Sequence, residues 1–122
     1  MITKGTNKII LDAYNANPTS MQAAIENLAN INAQTKVLML GSMLELGVDS
    51  EKEHKDIISQ IHRYNWDKVV LVGSGFNKIP NAYINFDNSA EAGDWFRQQR
   101  LENATILIKG SRGMRMEKVI NG

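Results

Sequence analysis

Short apolar runs alternate along the chain with longer stretches in which apolar residues recur every three or four positions. Residues 9–11, 37–40 and 69–72 are unbroken apolar runs, and residues 83–86 and 105–108 follow the same pattern. Uninterrupted runs of this length are typical of strands that are buried on both faces of a sheet. The pattern therefore predicts five buried strands.

Helical spacing occupies the stretches between these runs. Apolar residues form one stripe over residues 18–30 and another over residues 51–64. A third helix is predicted over residues 89–100, with Trp95 facing inward, and a short helix is predicted after Gly113. Parallel neighbours need a crossover connection, so strands that alternate with helices predict a mostly parallel sheet. The expected fold class is α/β, a three-layer sandwich with helices on both faces.

Two helix starts are marked by capping residues. Asn17-Pro18 combines an asparagine cap with a proline at the first helical position. Ser50 is followed three residues later by Glu53, which predicts a capping box. Both predicted boundaries agree with the start of an apolar stripe.

The connection between residues 69–72 and 83–86 is short for a helical crossover. One of these two strands is therefore expected to lie at an edge or to run antiparallel. The connection contains Gly73 and Gly75. We interpret this glycine pair as a turn rather than a phosphate loop, because no helical pattern follows it directly.

Composition narrows the class of protein. At 122 residues and 43% hydrophobic, the chain is expected to form a single domain over residues 1–122. Its 14 lysines and arginines nearly balance 13 acidic residues, which argues against a nucleic-acid or anionic-membrane partner. There is no cysteine and no long apolar stretch, so a cytoplasmic protein without membrane insertion is expected. The start close to the first apolar run would be abrupt for a complete enzyme.

The first candidate loop follows the first predicted strand, since ligands of open α/β sheets collect at the carboxyl ends of strands. It contains Asp12, Tyr14, Asn15 and Asn17. The cap role explains Asn17, but a loop needs neither an acid nor an aromatic ring. A purely structural loop and a ligand-facing loop are both open interpretations.

The second candidate loop has the sequence LGSMLELG at residues 40–47. Its glycines suggest special backbone conformations, and Glu45 is placed to reach the same edge of the sheet. A single helical turn closed by Gly47 is the simpler interpretation. His54 lies on the apolar stripe of the next helix, where packing is the more common role and function the less common one.

The third candidate loop, residues 108–113, is more specific. Lys109 supplies a point charge, Arg112 a planar fork for carboxylate or phosphate, and Ser111 lies between them. Flanking glycines let backbone amides approach an anion. We favour an anion site here over a solvated basic turn.

The chain contains no GxxxxGK[ST] phosphate loop and no nucleophile with a recognisable base partner. No catalytic residue and no metal ligand are therefore assigned to this domain alone. It is expected to hold part of a substrate.

Together, DAYNANPTSM at residues 12–21, LGSMLELG with His54, and KGSRGMRME at residues 109–117 resemble the carboxy-terminal domain of the Mur ligases. The resemblance covers nearly the whole chain and is strongest to the members that add D-alanyl-D-alanine to UDP-N-acetylmuramoyl tripeptide. It implies a Rossmann-like domain of a longer three-domain ligase of peptidoglycan synthesis, inactive alone, that packs against an absent central ATPase domain. It also implies ATP and Mg²⁺, bound mainly by that central domain.

The resemblance also implies roles for individual residues. The residues of the first loop (Asp12, Tyr14, Asn15 and Asn17) would meet ATP and the central domain on closure. Those of the third loop (Lys109, Ser111 and Arg112) would face the substrate peptide. Arg112 suits the carboxylate of D-alanyl-D-alanine by its charge. Glu45 and His54 are possible supporting residues, whereas Ser42 stands where these ligases commonly have aspartate.

Two other functions are open from the sequence. The chain could be a freestanding Rossmann-like module that binds a nucleotide or small anion without catalysis. It could also be a pure interaction domain, in which case Asp12, Asn15 and Lys109 would not affect ligand binding.

Overall fold

The computed structural model describes residues 1–121, and its strands form one six-stranded sheet. The strands are β1 (Ile2–Lys4), β2 (Asn7–Asp12), β3 (Thr35–Gly41), β4 (Lys68–Val72), β5 (Ile84–Phe86) and β6 (Ala104–Lys109). They lie in the order β1-β2-β6-β3-β4-β5. Every neighbouring pair is parallel except β1 with β2. The five predicted strands are confirmed, and β5 lies at an edge but runs parallel.

Among residues 1–121, five helices connect or follow the strands. They are α1 (Pro18–Asn30), α2 (Ser50–Ile61), α3 (Ser74–Asn77), α4 (Ser89–Gln99) and α5 (Lys118–Asn121), with 3₁₀ turns at Gly47–Asp49 and Arg112–Met114. The turn predicted at Gly73 to Gly75 is wrong, because α3 begins there. Its single turn is too short to leave a helical pattern in the sequence. None of the helices within residues 1–121 is long and apolar enough to cross a membrane.

The two predicted helix caps had different outcomes. Asn17 Oδ1 accepts a hydrogen bond from the Ser20 amide at 2.8 Å, and the Asn17 amide donates to Ser20 Oγ at 3.1 Å. The capping box at Ser50 is wrong: the cap residue of α2 is Asp49, which makes no side-chain cap bond. A 3₁₀ turn runs directly into α2, and Ser50 Oγ lies against His54 Nδ1 instead.

Two apolar layers enclose the sheet. On one face, α1 and α2 bury Met21, Ile25, Leu28, Ile57 and Ile61 against alternate strand residues such as Leu38 and Leu40. On the other face, α4 and α5 bury Ala92, Phe96 and Val119 against Val37 and Met39. The predicted three-layer α/β sandwich is confirmed. Because β2, β6 and β3 are parallel neighbours, their carboxyl ends meet at one edge.

Candidate functional site

Three loops meet at the carboxyl edge of the sheet. We call them the β2 loop (residues 13–17), the β3 loop (residues 42–46) and the β6 loop (residues 110–117). Each loop lies within one of the three sequence motifs, and β6 lies between the other two strands. The structure therefore brings the predicted site residues of all three loops to one place.

Asp12 organises the β2 loop from the end of its strand. Its carboxylate accepts hydrogen bonds from the amides of Tyr14 at 3.4 Å and Asn15 at 3.5 Å. Its other oxygen pairs with Lys109 Nζ at 2.5 Å. Burial alone would raise the pKa of Asp12, but the hydrogen bond and charge of Lys109 hold that pKa below its usual range. Asp12 is therefore charged at neutral pH.

The side chains of the β2 loop divide into two groups. Asn17 is occupied by the α1 cap, and Asp12 by the loop itself. Tyr14 and Asn15 are exposed, Tyr14 at 75% of its surface. An aromatic ring left in water at a loop tip is available to a ligand or to another domain.

Lys109 and Ser111 are turned into the fold rather than toward solvent. Lys109 is 2% exposed, and its ammonium donates to the Asn15 carbonyl oxygen at 2.8 Å as well as to Asp12. Ser111 is 9% exposed, and its Oγ accepts from the Leu44 amide at 2.8 Å and donates to the Ala16 carbonyl at 3.4 Å. The sequence predicted that both residues face a substrate, whereas here they join the loops to one another.

Arg112 has the opposite orientation. It is exposed, and its guanidinium carbon lies 5.4 Å from the centroid of the Tyr14 ring. A cation over an aromatic face is a weak attraction when both groups are in water. The contact connects the β6 and β2 loops while leaving the planar fork of Arg112 open to a ligand.

The β3 loop has a special backbone conformation. Glu45 and Gly47 have φ angles of 65° and 60°, in the left-handed region that non-glycine residues rarely adopt. The single helical turn closed by Gly47 is wrong, because the 3₁₀ turn starts at Gly47 instead. Ser42 is buried, and its Oγ donates to the Val72 carbonyl at 2.9 Å and accepts from the Phe76 amide at 3.4 Å. This loop is thus held by the body of the fold.

His54 supports the β3 loop from α2. Its Nε2 lies 3.0 Å from the Met43 amide, which can only donate, so Nε2 accepts and the proton is assigned to Nδ1. That proton is donated to the Ser50 carbonyl at 2.7 Å. The buried ring also packs edge-on against Phe76, with centroids 4.7 Å apart. Burial lowers the pKa of His54, so the histidine is neutral at pH 7.

A cleft of about 770 Å³ opens between the loops. It is lined by Leu11, Asp12, Ala13, Tyr14, Glu45, Arg112, Gly113, Arg115 and Glu117. The cleft therefore includes predicted site residues from all three loops. Its charged groups carry both signs, which suits a ligand with both signs or an anion accompanied by a cation.

Two cleft residues, Arg115 and Glu117, were not singled out from the sequence. Arg115 has a φ of 51°, and one carboxylate oxygen of Glu117 is buried without a hydrogen-bond partner. Their position at the end of the KGSRGMRME motif was the only available signal. Within residues 1–121, no group of three or more histidine, aspartate or glutamate side chains could hold a metal ion.

The fold is a Rossmann-like α/β domain in which loops at one edge of the sheet line a cleft. A family model described as "Mur ligase, glutamate ligase domain" matches residues 1–112. The chain therefore belongs to the Mur ligase family, as the sequence resemblance indicated.

The similar proteins share one name. A UDP-N-acetylmuramoyl-tripeptide--D-alanyl-D-alanine ligase from Rickettsia prowazekii is 36% identical over 98% of this chain, and the one from Escherichia coli is 35% identical over 93%. A MurF crystal structure from Acinetobacter baumannii has a TM-score of 0.79 at 32% identity. MurF from Thermotoga maritima in complex with ADP has a TM-score of 0.83 at 25% identity.

The matches also show how much of these proteins the chain represents. It spans 30% of the Rickettsia prowazekii ligase and 26% of the Escherichia coli ligase. Each of the two MurF structures covers 98% of this chain, which corresponds to 28% of their own length. The comparison therefore concerns one domain-sized part of those proteins.

Proposed function

We propose that this chain is the carboxy-terminal domain of a longer ATP-dependent ligase, which joins D-alanyl-D-alanine to UDP-N-acetylmuramoyl tripeptide in bacterial peptidoglycan synthesis. The observation that carries the proposal is the meeting of all three motif loops around one charged cleft. Similarity to ligases of that name from Rickettsia prowazekii and Escherichia coli over nearly the whole chain supports it. The proposed location is the cytoplasm, where ATP is available.

In this reaction the tripeptide carboxylate takes the γ-phosphate of ATP to form an acyl phosphate and ADP. The amine of the dipeptide then attacks the acyl carbon, which forms the amide bond and releases inorganic phosphate and a proton. The sequence has no phosphate loop, so activation of the carboxylate falls to another domain. This chain would bind, orient and enclose the reactants. The isolated domain is therefore expected to be inactive.

The β2 loop is the proposed contact with ATP and with the central domain. Tyr14 and Asn15 offer an aromatic ring and an amide that are free to make contacts, while Asp12 and Asn17 hold the loop in shape. The ADP complex of the Thermotoga maritima relative supports a nucleotide ligand. Mg²⁺ has no site of its own among residues 1–121, so a metal ion would be held by the nucleotide and by another domain.

Apolar side chains at the same edge support domain closure. Tyr14, Leu44 and Val48 are exposed by 75%, 42% and 100% of their surfaces. Tyr14 lines the cleft, whereas Leu44 and Val48 lie outside its lining. Exposed apolar groups near a cleft are typical of a surface that becomes covered. The central domain of the ligase is the proposed partner.

Arg112 is the proposed contact for the terminal carboxylate of the dipeptide. Its guanidinium is exposed beside the cleft, and no salt bridge within residues 1–121 involves it. A planar guanidinium can bind both oxygens of a carboxylate. Glu45 lies across the same cleft and is a proposed supporting residue.

The test is ADP release by the full-length parent protein with Mg·ATP and UDP-N-acetylmuramoyl tripeptide, measured with and without D-alanyl-D-alanine. The 122-residue chain serves as the control. We expect release that depends on the dipeptide in the full-length protein and none in the control. Absence of release from the full-length protein would reject the ligase and favour a module that only binds a nucleotide or anion.

A further inference from the structure

In the KGSR segment, residues 109–112, side chains point alternately to two sides because the backbone is extended. Lys109 ends β6, and Ser111 has extended backbone angles of −62° and 151°. Side chains two positions apart in such a chain point to the same side. Lys109 and Ser111 accordingly point toward the start of α1, whereas Arg112 points into the cleft.

Lys109 supplies the strong contacts of the β2 loop. Asp12 and Lys109 are register partners on neighbouring strands, and their side chains form a charged hydrogen bond. The bonds from Asp12 to the amides of Tyr14 and Asn15 are 3.4 and 3.5 Å long, which is weak geometry. Without Lys109, the carboxylate and the Asn15 carbonyl would both lose their charged donor.

Ser111 joins the other two loops through one hydroxyl. Its oxygen accepts from Leu44 in the β3 loop, and its hydrogen is donated to Ala16 in the β2 loop. The Ser111 amide also donates to the Ser42 carbonyl at 3.4 Å. A hydroxyl used as both donor and acceptor in a buried place has little left to offer a substrate.

We propose that Lys109 and Ser111 are positioning residues, which hold the β2 and β3 loops in shape before any ligand arrives and do not contact substrate. Only the kinetic consequence of this inference rests on the proposed ligase function. When the nucleotide binds, a loop that is already ordered loses less conformational entropy, so less of the binding free energy is offset. Loss of Lys109 should therefore raise the KM for ATP, because Tyr14 and Asn15 are no longer held in position to contact it.

The first test measures amide hydrogen exchange in the 122-residue chain. We expect Lys109→Met to raise exchange over residues 13–17 on the order of tenfold, while exchange in α4 stays unchanged. Lys8→Met is the matched control, since Lys8 is an exposed lysine at the other end of β2, and it should change neither segment. Ser111→Ala should raise exchange at Leu44, whose amide loses its acceptor. This second variant still tests the proposal if Lys109→Met fails to fold.

The second test measures kinetics in the full-length parent. Positioning predicts a several-fold rise in KM for ATP with Lys109→Met, and little further rise when Asp12→Asn is added to it, because the contact between Asp12 and Lys109 is already lost in Lys109→Met. A rise confined to KM for the dipeptide, with loop exchange unchanged, would show direct substrate contact and overturn the proposal. If the wild-type parent releases no ADP, the ligase function fails, but loop exchange still decides whether Lys109 and Ser111 position the loops.

Discussion

The β2 and β3 loops lie at one sheet edge, on either side of the β6 loop, yet they are held by opposite kinds of chemistry. The β2 loop depends on the ion pair of Asp12, about half exposed, with buried Lys109. The β3 loop depends on the neutral imidazole of His54, which accepts a hydrogen bond from Met43 in the core. One loop presents its side chains to solvent, and the other is part of the packed body of the domain.

The contrast shows how a domain can combine an adaptable loop with a rigid one. A partly exposed ion pair contributes little net stability, because the cost of desolvating the two groups offsets most of their attraction, although removal of the exposed partner leaves the buried charge unpaired. A buried histidine that uses both nitrogens contributes much more, because its loss leaves polar groups buried without partners. We therefore expect changes at His54 to affect stability first and changes around the β2 loop to affect ligand binding first.

The largest expected effect comes from His54→Ala. It removes the contact with Phe76 and leaves the Met43 amide and Ser50 carbonyl without their partner. The free energy of unfolding should fall by about 3–4 kcal/mol, measured by urea denaturation. His62→Ala is the control, since His62 is exposed, and should cost less than about 1 kcal/mol. A loss below about 1 kcal/mol for His54→Ala would contradict the assigned role of the histidine.

The next effect compares the two partners of the ion pair. Asp12→Asn leaves the buried Lys109 ammonium without its counter-charge and should cost about 2–3 kcal/mol. Lys109→Met leaves the Asn15 carbonyl and a half-exposed carboxylate without their charged donor, and water can solvate that carboxylate, so about 1 kcal/mol is expected. Denaturation of the two variants under one set of conditions gives the order. A larger loss for Lys109→Met than for Asp12→Asn would contradict the assignment of Lys109 as the partner that needs its counter-charge.

Lowering the pH should destabilise the β3 loop before the β2 loop, without any mutation. The lowered pKa of His54 means that the unfolded chain binds a proton more readily than the folded chain. Stability is therefore complete above the unfolded value of about 6.5 and falls as the pH drops below it, by no more than about 1.4 kcal/mol per pH unit. Because the pKa of Asp12 is lowered, its ion pair is lost only as the pH falls below the ordinary aspartate value of about 3.9.

Hydrogen exchange between pH 7.5 and 5.5 measures this separation, after correction for intrinsic exchange rates. Protection at Met43 should fall while protection over residues 13–17 is kept. His54→Gln should abolish the fall, and His62→Ala should retain it. An equal loss of exchange protection in both loops would contradict the different chemistry assigned to them.

The smallest expected effect on folding belongs to Arg112→Ala. Arg112 is exposed, its guanidinium lies over the ring of Tyr14, and no salt bridge among residues 1–121 involves it. The free energy of unfolding should change by less than about 0.5 kcal/mol by urea denaturation. A loss above about 1 kcal/mol would mean that Arg112 is part of the framework that holds the loops.

Hydrophobic pattern predicted most of the fold because the buried strands and the longer helices leave long signals in the sequence. The strand β1 was missed because its three residues are exposed and belong to an edge hairpin. The capping box at Ser50 failed for a different reason: the preceding 3₁₀ turn extends directly into α2, and no local rule shows that the hydroxyl lies against His54.

The candidate loops were also predictable, since they follow the ends of strands. The orientations of Lys109 and Ser111 were not, because their partners lie 97 and 95 positions away, in Asp12 and Ala16. A basic motif does not reveal which cation is buried until neighbouring strands are placed in register. Arg112 differs because no carboxylate within residues 1–121 pairs with it.

The most direct test of the proposed function is the KM for D-alanyl-D-alanine in full-length parent protein that carries Arg112→Ala. The proposal that this cleft receives the dipeptide predicts a rise on the order of tenfold or more, with the KM for ATP nearly unchanged and the domain fully folded. An unchanged KM for the dipeptide in a folded variant would contradict the assignment of the cleft.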